Sequence, residues 1–249
     1  VLLKQLSYYP YIQLLVMTLF ALIAYIGLVS VKRAEQNKVW VGLSKETAHQ
    51  LGTPISSLMA WIELMKTNEN IDPNIVDDMN KDVRRLSTIA ERFSKIGSIP
   101  DKELIYINEL IEESCNYMSN RISSRVKLNM HLPQDSEGTM ACRSLIEWVI
   151  ENLCKNAVDA MSGEGEIKIS LTSDNKYIYI DVSDTGKGIA RKEFDTIFKP
   201  GFTTKKRGWG LGLTLAKRIV EEYHNGRIYV KESEIGIGTT FRIELQKIS

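Results

Sequence analysis

His49 is one of three histidines in a chain of 249 residues, and it stands in the run S-K-E-T-A-H-Q-L-G-T-P-I, residues 44–55. A neutral imidazole nitrogen is a nucleophile at physiological pH. Around it, Val41, Ala48, Leu51, Ile55, Leu58, Ile62 and Met65 alternate mostly in steps of four and three, which makes one apolar seam along a helix. His49 follows Ala48 by one position. It therefore flanks the seam, half exposed, with room for a large phosphoryl donor. Pro54 removes a backbone N–H and clashes with the carbonyl of Gln50, so a bend is predicted beside His49. Taken alone, a lone histidine on a helix is more often structural or merely solvated than reactive.

Four stretches in the C-terminal half add the chemistry of a nucleotide site. In E-N-L-C-K-N-A-V-D-A, residues 151–160, Asn152, Asn156 and Asp159 share one helix face. An amide oxygen is a hard ligand suited to Mg²⁺; the same residues also suit a helix surface. In D-V-S-D-T-G-K-G-I, residues 181–189, Asp184 closes a strand and can accept a hydrogen bond from a base amino group. Gly186 and Gly188 let the backbone approach a ligand, although a plain glycine turn reads alike. Residues 198–213, F-K-P-G-F-T-T-K-K-R-G-W-G-L-G-L, place alternating Gly208, Gly210 and Gly212 before a helix, where free N–H groups favour an anion. Lys205, Lys206 and Arg207 add positive charge there, or simply make a mobile basic loop. G-I-G-T-T-F, residues 236–241, turns into the last strand.

These residues need elements to position them. Tyr11 to Val31 is an apolar run without charge, long enough for a bilayer core of roughly 30 Å. Lys32, Arg33 and Lys38 follow it, which predicts a cytoplasmic C-terminal side. The long helix over 34–67 is followed by a turn in which Asp72 caps and Pro73 opens a second helix over 74–96. The seam of that helix is Met79, Val83, Leu86, Ala90 and Phe93. Two such helices make an antiparallel hairpin with too little apolar face to enclose a core, so a homodimeric four-helix bundle is predicted. Gly97 to Lys102 reads as a linker. Beyond it the pattern predicts a strand at 103–107, a helix from Asn108 as cap to about Arg121, and a strand at 126–132. A helix at 144–161, strands at 166–172 and 177–183, helices at 190–198 and 211–223, and strands at 227–231 and 239–245 follow. The class is α+β, with an α/β sandwich at the C-terminal end.

The net charge of +1 shows no nucleic-acid footprint. Cys115, Cys142 and Cys154 have no metal or redox spacing and suit a reducing compartment. A first residue of valine is expected of a piece of a longer chain.

The ordered set of motifs resembles the sensor histidine kinases. Asn156 fits the N box, Asp184 to Gly188 the first glycine box, Phe198 to Phe202 the F box, Gly208 to Gly212 the second glycine box and Gly236 to Thr240 the last. His49 with Thr53 and Pro54 is similar to the H box. The resemblance covers about residues 34–249. It implies a dimerisation and phosphotransfer hairpin at 32–98 and a Bergerat-type ATP-binding domain at 99–249; with the transmembrane helix that the apolar run predicts at 8–31, the expected place is a bacterial cytoplasmic membrane with residues 32–249 in the cytoplasm. ATP and Mg²⁺ are the implied cofactors, with Asn156 holding the metal. The implied nucleotide contacts are Asn152, Asn156, Asp159, Asp184, Gly186, Gly188, Ile189, Phe198, Thr204, Lys205, Gly208, Gly210, Leu211, Gly212, Leu213 and Thr240.

The implied activity is that of a protein-histidine kinase: His49 takes the γ-phosphoryl group of ATP and passes it to an aspartate in the receiver domain of a response regulator. Three positions depart from the family. Gln50 stands where an acidic base is usual and cannot take a proton, which leaves His49 unaided or helped by Glu46 one turn earlier. Gly52 replaces an arginine, and Trp209 replaces a small residue. Thr53 matches the position that assists dephosphorylation of the partner. The same residues also fit an ATP-binding signalling scaffold that has lost autokinase activity, with Gln50 its mark, or a regulator in which phosphatase activity dominates.

Overall fold

The computed structural model describes residues 2–67, 71–96, 100–119, 121–205 and 210–248, and, of the first two helices, the side chains of 8–29, 48, 50–67, 71–84, 86–88, 90 and 91. The chain divides into two compact units, Val1–Ser98 and Ile99–Ser249.

The first unit is two helices. Helix α1 runs from Leu2 to Lys66. Its segment Tyr8–Val29 is apolar and has no buried residue, and at about 1.5 Å per residue it is long enough to cross a membrane. Pro54 lies inside α1 without ending it. Asn68 to Asn70 of the predicted turn lie outside the described residues. Asp72 Oδ1 accepts the backbone N–H of Asn74 at 2.9 Å and so caps α2, which opens on Pro73 and runs to Ile96. The two helices share a core of Ile55, Ile62, Val76, Val83 and Ala90, against which Met65, Ile71 and Met79 pack. Only part of each predicted seam is covered. Ala48, Ile55 and Ile62 are buried at seven-residue steps, as are Val76, Val83 and Ala90. Leu51 (39% exposed), Leu58 (40%) and Leu86 (47%) belong to the same seams and face outward. The side chains of Val41 and Phe93 lie outside the described residues.

The second unit begins with β1 (Glu103–Tyr106), α3 (Ile107–Ser119), β2 (Val126–His131) and β3 (Gly138–Ala141). It continues with α4 (Arg143–Ala160), β4 (Gly165–Ser173), β5 (Tyr177–Asp184), α5 (Gly212–Arg218), β6 (Arg227–Glu234) and β7 (Gly238–Gln246). Strands β1 and β3 form a two-stranded antiparallel sheet; the others form a five-stranded sheet in the order β2-β4-β5-β7-β6, parallel only between β2 and β4. Alternation decides which face is core. Ile167, Ile169 and Leu171, then Ile178, Ile180 and Val182, then Phe241, Ile243 and Leu245 are buried. Leu110, Ile111, Leu145, Ile146, Val149, Ile150 and Leu215 from the helices are buried with them. The opposite face is polar and carries its own ion-pair cluster. Asp181 accepts two hydrogen bonds from Arg242, at 2.7 Å each, and one from Lys231 at 2.8 Å.

Three sequence expectations are corrected here, and one strand had not been expected. Asn108 does not cap α3. It sits in the first turn, donating through Nδ2 to the carbonyl of Pro133 and accepting the N–H of Glu137, so its amide ties down the 133–137 loop. Strand β3 was not expected, because four residues of mixed polarity carry no period of their own. The 190–198 helix is two separate 3₁₀ turns, Arg191–Glu193 and Thr196–Phe198. The 211–223 helix is α-helical only to Arg218 and ends in a π turn, Ile219–Tyr223.

That π turn has a visible cause. His224 Nδ1 meets the carbonyl of Ile219 at 2.7 Å, and its Nε2 accepts the N–H of Cys142 at 3.0 Å. Nε2 is therefore the unprotonated nitrogen, and the ring is neutral. Burial lowers its pKa against the opposing pull of the Ile219 carbonyl. One imidazole thus anchors the residue before α4 to the end of the α5 segment.

Candidate nucleotide-binding site

Helix α4 supplies one wall. Its apolar face, Leu145, Ile146, Val149, Ile150, Leu153 and Ala157, is buried. That orientation leaves Asn152 and Asn156 half-buried and Asp159 exposed. Asn152 occupies the space in front of Gly212: a Cβ there would lie 2.5 Å from Asn152 Oδ1. A side chain at the start of α5 would push the Asn152 amide aside, and the amide Nδ2 of Asn152 is buried without a partner among the described residues. Lys205 crosses to the same wall. Its ammonium donates to Asn156 Oδ1 at 3.0 Å and pairs with the carboxylate of Asp159.

The loop after β5 supplies the second wall. Asp184 Oδ1 accepts the N–H of Gly186 at 2.8 Å. Burial pushes the Asp184 carboxyl pKa up, against the backbone N–H groups of Gly186 and Thr239 that favour its charge. The Lys187 N–H donates to the carbonyl of Ala160 at 3.1 Å, so the loop lies against the last turn of α4. Gly188 has φ +71° and a Cβ there would collide with the carbonyl oxygen of Glu234, a backbone that only glycine adopts without strain. The Ile189 N–H donates to Ser233 Oγ at 2.8 Å. Thr240 shares a hydroxyl hydrogen bond of 2.9 Å with Ser183 across the β5–β7 ladder.

The 199–205 segment closes the arrangement. Phe198 is buried edge-on against Phe241, with centroids 6.3 Å apart. Thr204 accepts a hydrogen bond from Lys187 Nζ at 3.1 Å. The Gly201 N–H donates to the carbonyl of Gly210 at 3.2 Å, and Leu211 accepts the N–H of Leu215 at 2.9 Å. Leu213 is half-buried in the first turn of α5.

Within the second unit, contacts therefore bring together Asn152 with Gly212, Asn156 and Asp159 with Lys205, and Asp184 with Gly186. Gly208, with Lys206, Arg207 and Trp209, lies outside the described residues. In the first unit Gln50 and Thr53 are exposed on α1, and the Thr53 carbonyl accepts Ser57 Oγ at 3.3 Å. Glu46 and His49 lie on the same helix, their side chains outside the described residues. Two contributors were missed as side chains. Lys187 stands inside the D-T-G-K-G run, so its charge was legible. Thr185, whose Oγ1 accepts the N–H of Glu166 at 3.0 Å, gave no signal.

Residues 143–248 match the family described as histidine kinase-, DNA gyrase B-, and HSP90-like ATPase. Sporulation kinase D of Bacillus subtilis (strain 168) is 31% identical over 211 residues, covering 82% of this chain and 41% of that protein. Sensor histidine kinase ZraS of Escherichia coli (strain K12) is 30% identical over 220 residues, covering 86% of this chain and 47% of that protein. Among solved structures, the catalytic domain of histidine kinase ThkA matches 59% of this chain and 98% of its own at a TM-score of 0.54 and 30% identity. Fold and site thus define an ATPase domain of the kinase, gyrase and HSP90 type. Through that ATP-binding domain, the chain belongs to the sensor histidine kinases. It spans less than half the length of these two curated relatives.

Proposed function

We propose that this chain is the catalytic portion of a membrane-anchored sensor histidine kinase, which phosphorylates itself on His49 and passes the group to a response regulator. The observation that carries the reading is the α4 face, where Asn152 is fitted to Gly212 and the Asn156–Asp159 pair already holds one cation, the Lys205 ammonium. The adenine amino group donates to Asp184, and the phosphates lie between α4 and the glycine backbone at 210–212. The metal fits Asn156, an amide oxygen next to a carboxylate, since Mg²⁺ takes hard oxygen donors. Positioning and charge neutralisation supply most of phosphoryl-transfer catalysis. A nitrogen of His49 forms the new bond to the γ-phosphorus as the bond to the bridging oxygen breaks and ADP leaves. Gln50 cannot accept a proton, so His49 attacks as the neutral imidazole, with Glu46 the nearest carboxylate one turn back.

The finer architecture follows the same reading: an anchor at 8–31, a hairpin at 32–98 and the catalytic domain at 99–249, in a bacterial cytoplasmic membrane with 32–249 inside. The outward Leu51, Leu58 and Leu86 support a homodimer, because a second hairpin would cover the stripe that one chain leaves bare. A response regulator as phosphoryl acceptor is supported by ThkA, which is solved in complex with response regulator protein TrrA; Thr53 matches the position that assists dephosphorylation of that partner, in which water takes the phosphoryl group from the aspartate. The test is autophosphorylation of the full chain in detergent with γ-labelled ATP and Mg²⁺. The expected label is acid-labile and base-stable, and absent in His49→Ala and Asn156→Ala. Nucleotide binding without label in the wild type would instead favour the scaffold, with Gln50→Glu the variant that should then restore it.

A further inference from the structure

Two lysines tie adjacent residues of one segment to two different walls of the site. Lys187, on the loop after β5, donates to Thr204 Oγ1 at 3.1 Å. Lys205, the next residue along, reaches α4, where its ammonium donates to Asn156 Oδ1 at 3.0 Å and pairs with the Asp159 carboxylate. Those two α4 oxygens are the donors that suit a divalent cation, and the ammonium already fills that position. A divalent cation on the same amide oxygen and carboxylate would meet the ammonium at close range, where the two like charges repel and compete for the Asn156 oxygen.

Resting on the nucleotide reading above, we propose that Lys205 is an internal cation that guards the metal position. In the nucleotide-free chain its ammonium holds Asn156 and Asp159 and keeps the 199–205 segment across the site. Loading with a metal–nucleotide complex requires Lys205 to leave Asp159. The pair is built to open: its two side chains are 41% and 42% exposed, and an ion pair in that setting is weak. The Lys187–Thr204 bond is the second tie and holds the segment from the opposite side. The arrangement makes the divalent cation itself an opener, since Mg²⁺ and Lys205 compete for the same oxygens before any nucleotide arrives.

The experiment uses the full 249-residue chain in detergent, with Lys205→Met and Thr204→Val. Amide hydrogen exchange over residues 200–205 is followed without nucleotide, with MgCl₂ or with NaCl of equal ionic strength. Association of a fluorescent ATP analogue with Mg²⁺ is followed by stopped flow. In the wild type, Mg²⁺ alone should speed exchange in the segment. In Lys205→Met the exchange should already be fast and insensitive to Mg²⁺, and analogue association should rise about two- to fivefold, the range spanned by exposed ion pairs. Thr204→Val should loosen the segment while keeping the Mg²⁺ response. Wild-type exchange indifferent to Mg²⁺, or slower association in Lys205→Met, overturns the guard while leaving the nucleotide site standing. A wild type that binds no nucleotide overturns both.

Discussion

The two units bury their apolar residues to very different extents. In the second unit Ile107, Leu110, Ile111, Leu145, Ile146, Ile150, Ile167, Ile169, Ile178, Ile180 and Ile243 are each fully covered by the chain's own helices and sheet. Among the described side chains of 48–91 in the first unit, one residue per heptad of each helix is covered, and Leu51, Leu58, Trp61, Leu64, Ile75 and Leu86 remain 39–61% exposed. The second unit thus has a closed core of its own. The first leaves an apolar stripe bare, which on the proposed reading a second hairpin covers. On the proposed reading the closed unit carries the phosphoryl donor and the open one the acceptor.

The sharpest way to break that comparison is to disable one unit at a time. His49→Ala should remove all phosphoryl label and leave the nucleotide dissociation constant of the full chain unchanged, as read by equilibrium binding of a fluorescent analogue. Weaker nucleotide binding in this variant would mean that the two units are not separable in this way. Asp184→Asn should do the reverse. Losing the charge-assisted hydrogen bond to the base should weaken binding by about ten- to a hundredfold. The fold should stay intact or gain slightly, because burial disfavours the carboxylate charge at this position. Wild-type affinity should likewise weaken as pH falls toward the raised pKa of Asp184, since the protonated acid accepts poorly. A variant that stays folded and binds ATP normally would remove Asp184 from the site.

Packing offers the next contrast. Ile150→Ala, in the closed core, should cost roughly 2–5 kcal/mol in urea unfolding of the catalytic unit. Leu58→Asp, on the open stripe, should leave that transition untouched and convert dimer to monomer in light scattering. Unchanged mass would sink the dimer assignment.

The sequence showed this contrast only in part. The period of the two seams was plain in Ala48, Ile55, Ile62, Val83 and Ala90, while Val76, buried one heptad before Val83, was not counted. Spacing alone could not say that Leu51, Leu58 and Leu86 would stay bare, because a heptad pattern counts every apolar position and not the number of chains available to cover it. In the catalytic unit the long strands and α4 were legible from alternation and from the 3.6-residue period. Strand β3 and the role of Asn108 were not. Both depend on partners distant in sequence: β3 on β1, and Asn108 on the loop at 133–137. The site was legible as motifs with glycines and asparagines in order. The hold of Lys205 on Asn156 and Asp159 was not, since a basic loop carries no sign of which anion it will meet.

The smallest expected effect concerns His224, which joins the residue before α4 to the π turn. Its pKa in the folded chain is lowered, by burial first, so the unfolded chain binds a proton at a pH where the folded chain does not. The stabilisation is therefore complete above the ordinary histidine pKa near 6.5 and is lost as pH falls below it. The slope cannot exceed about 1.4 kcal/mol per pH unit. Asp184 and Glu147, whose pKa values are raised, act with the opposite sign. The informative quantity is thus the difference between wild type and His224→Asn. Urea midpoints of the catalytic unit's transition at pH 7.5 and 5.5 should fall further in the wild type than in the variant. Equal shifts would mean that the ring is not held neutral between Cys142 and Ile219, and that the π turn owes its shape to packing alone.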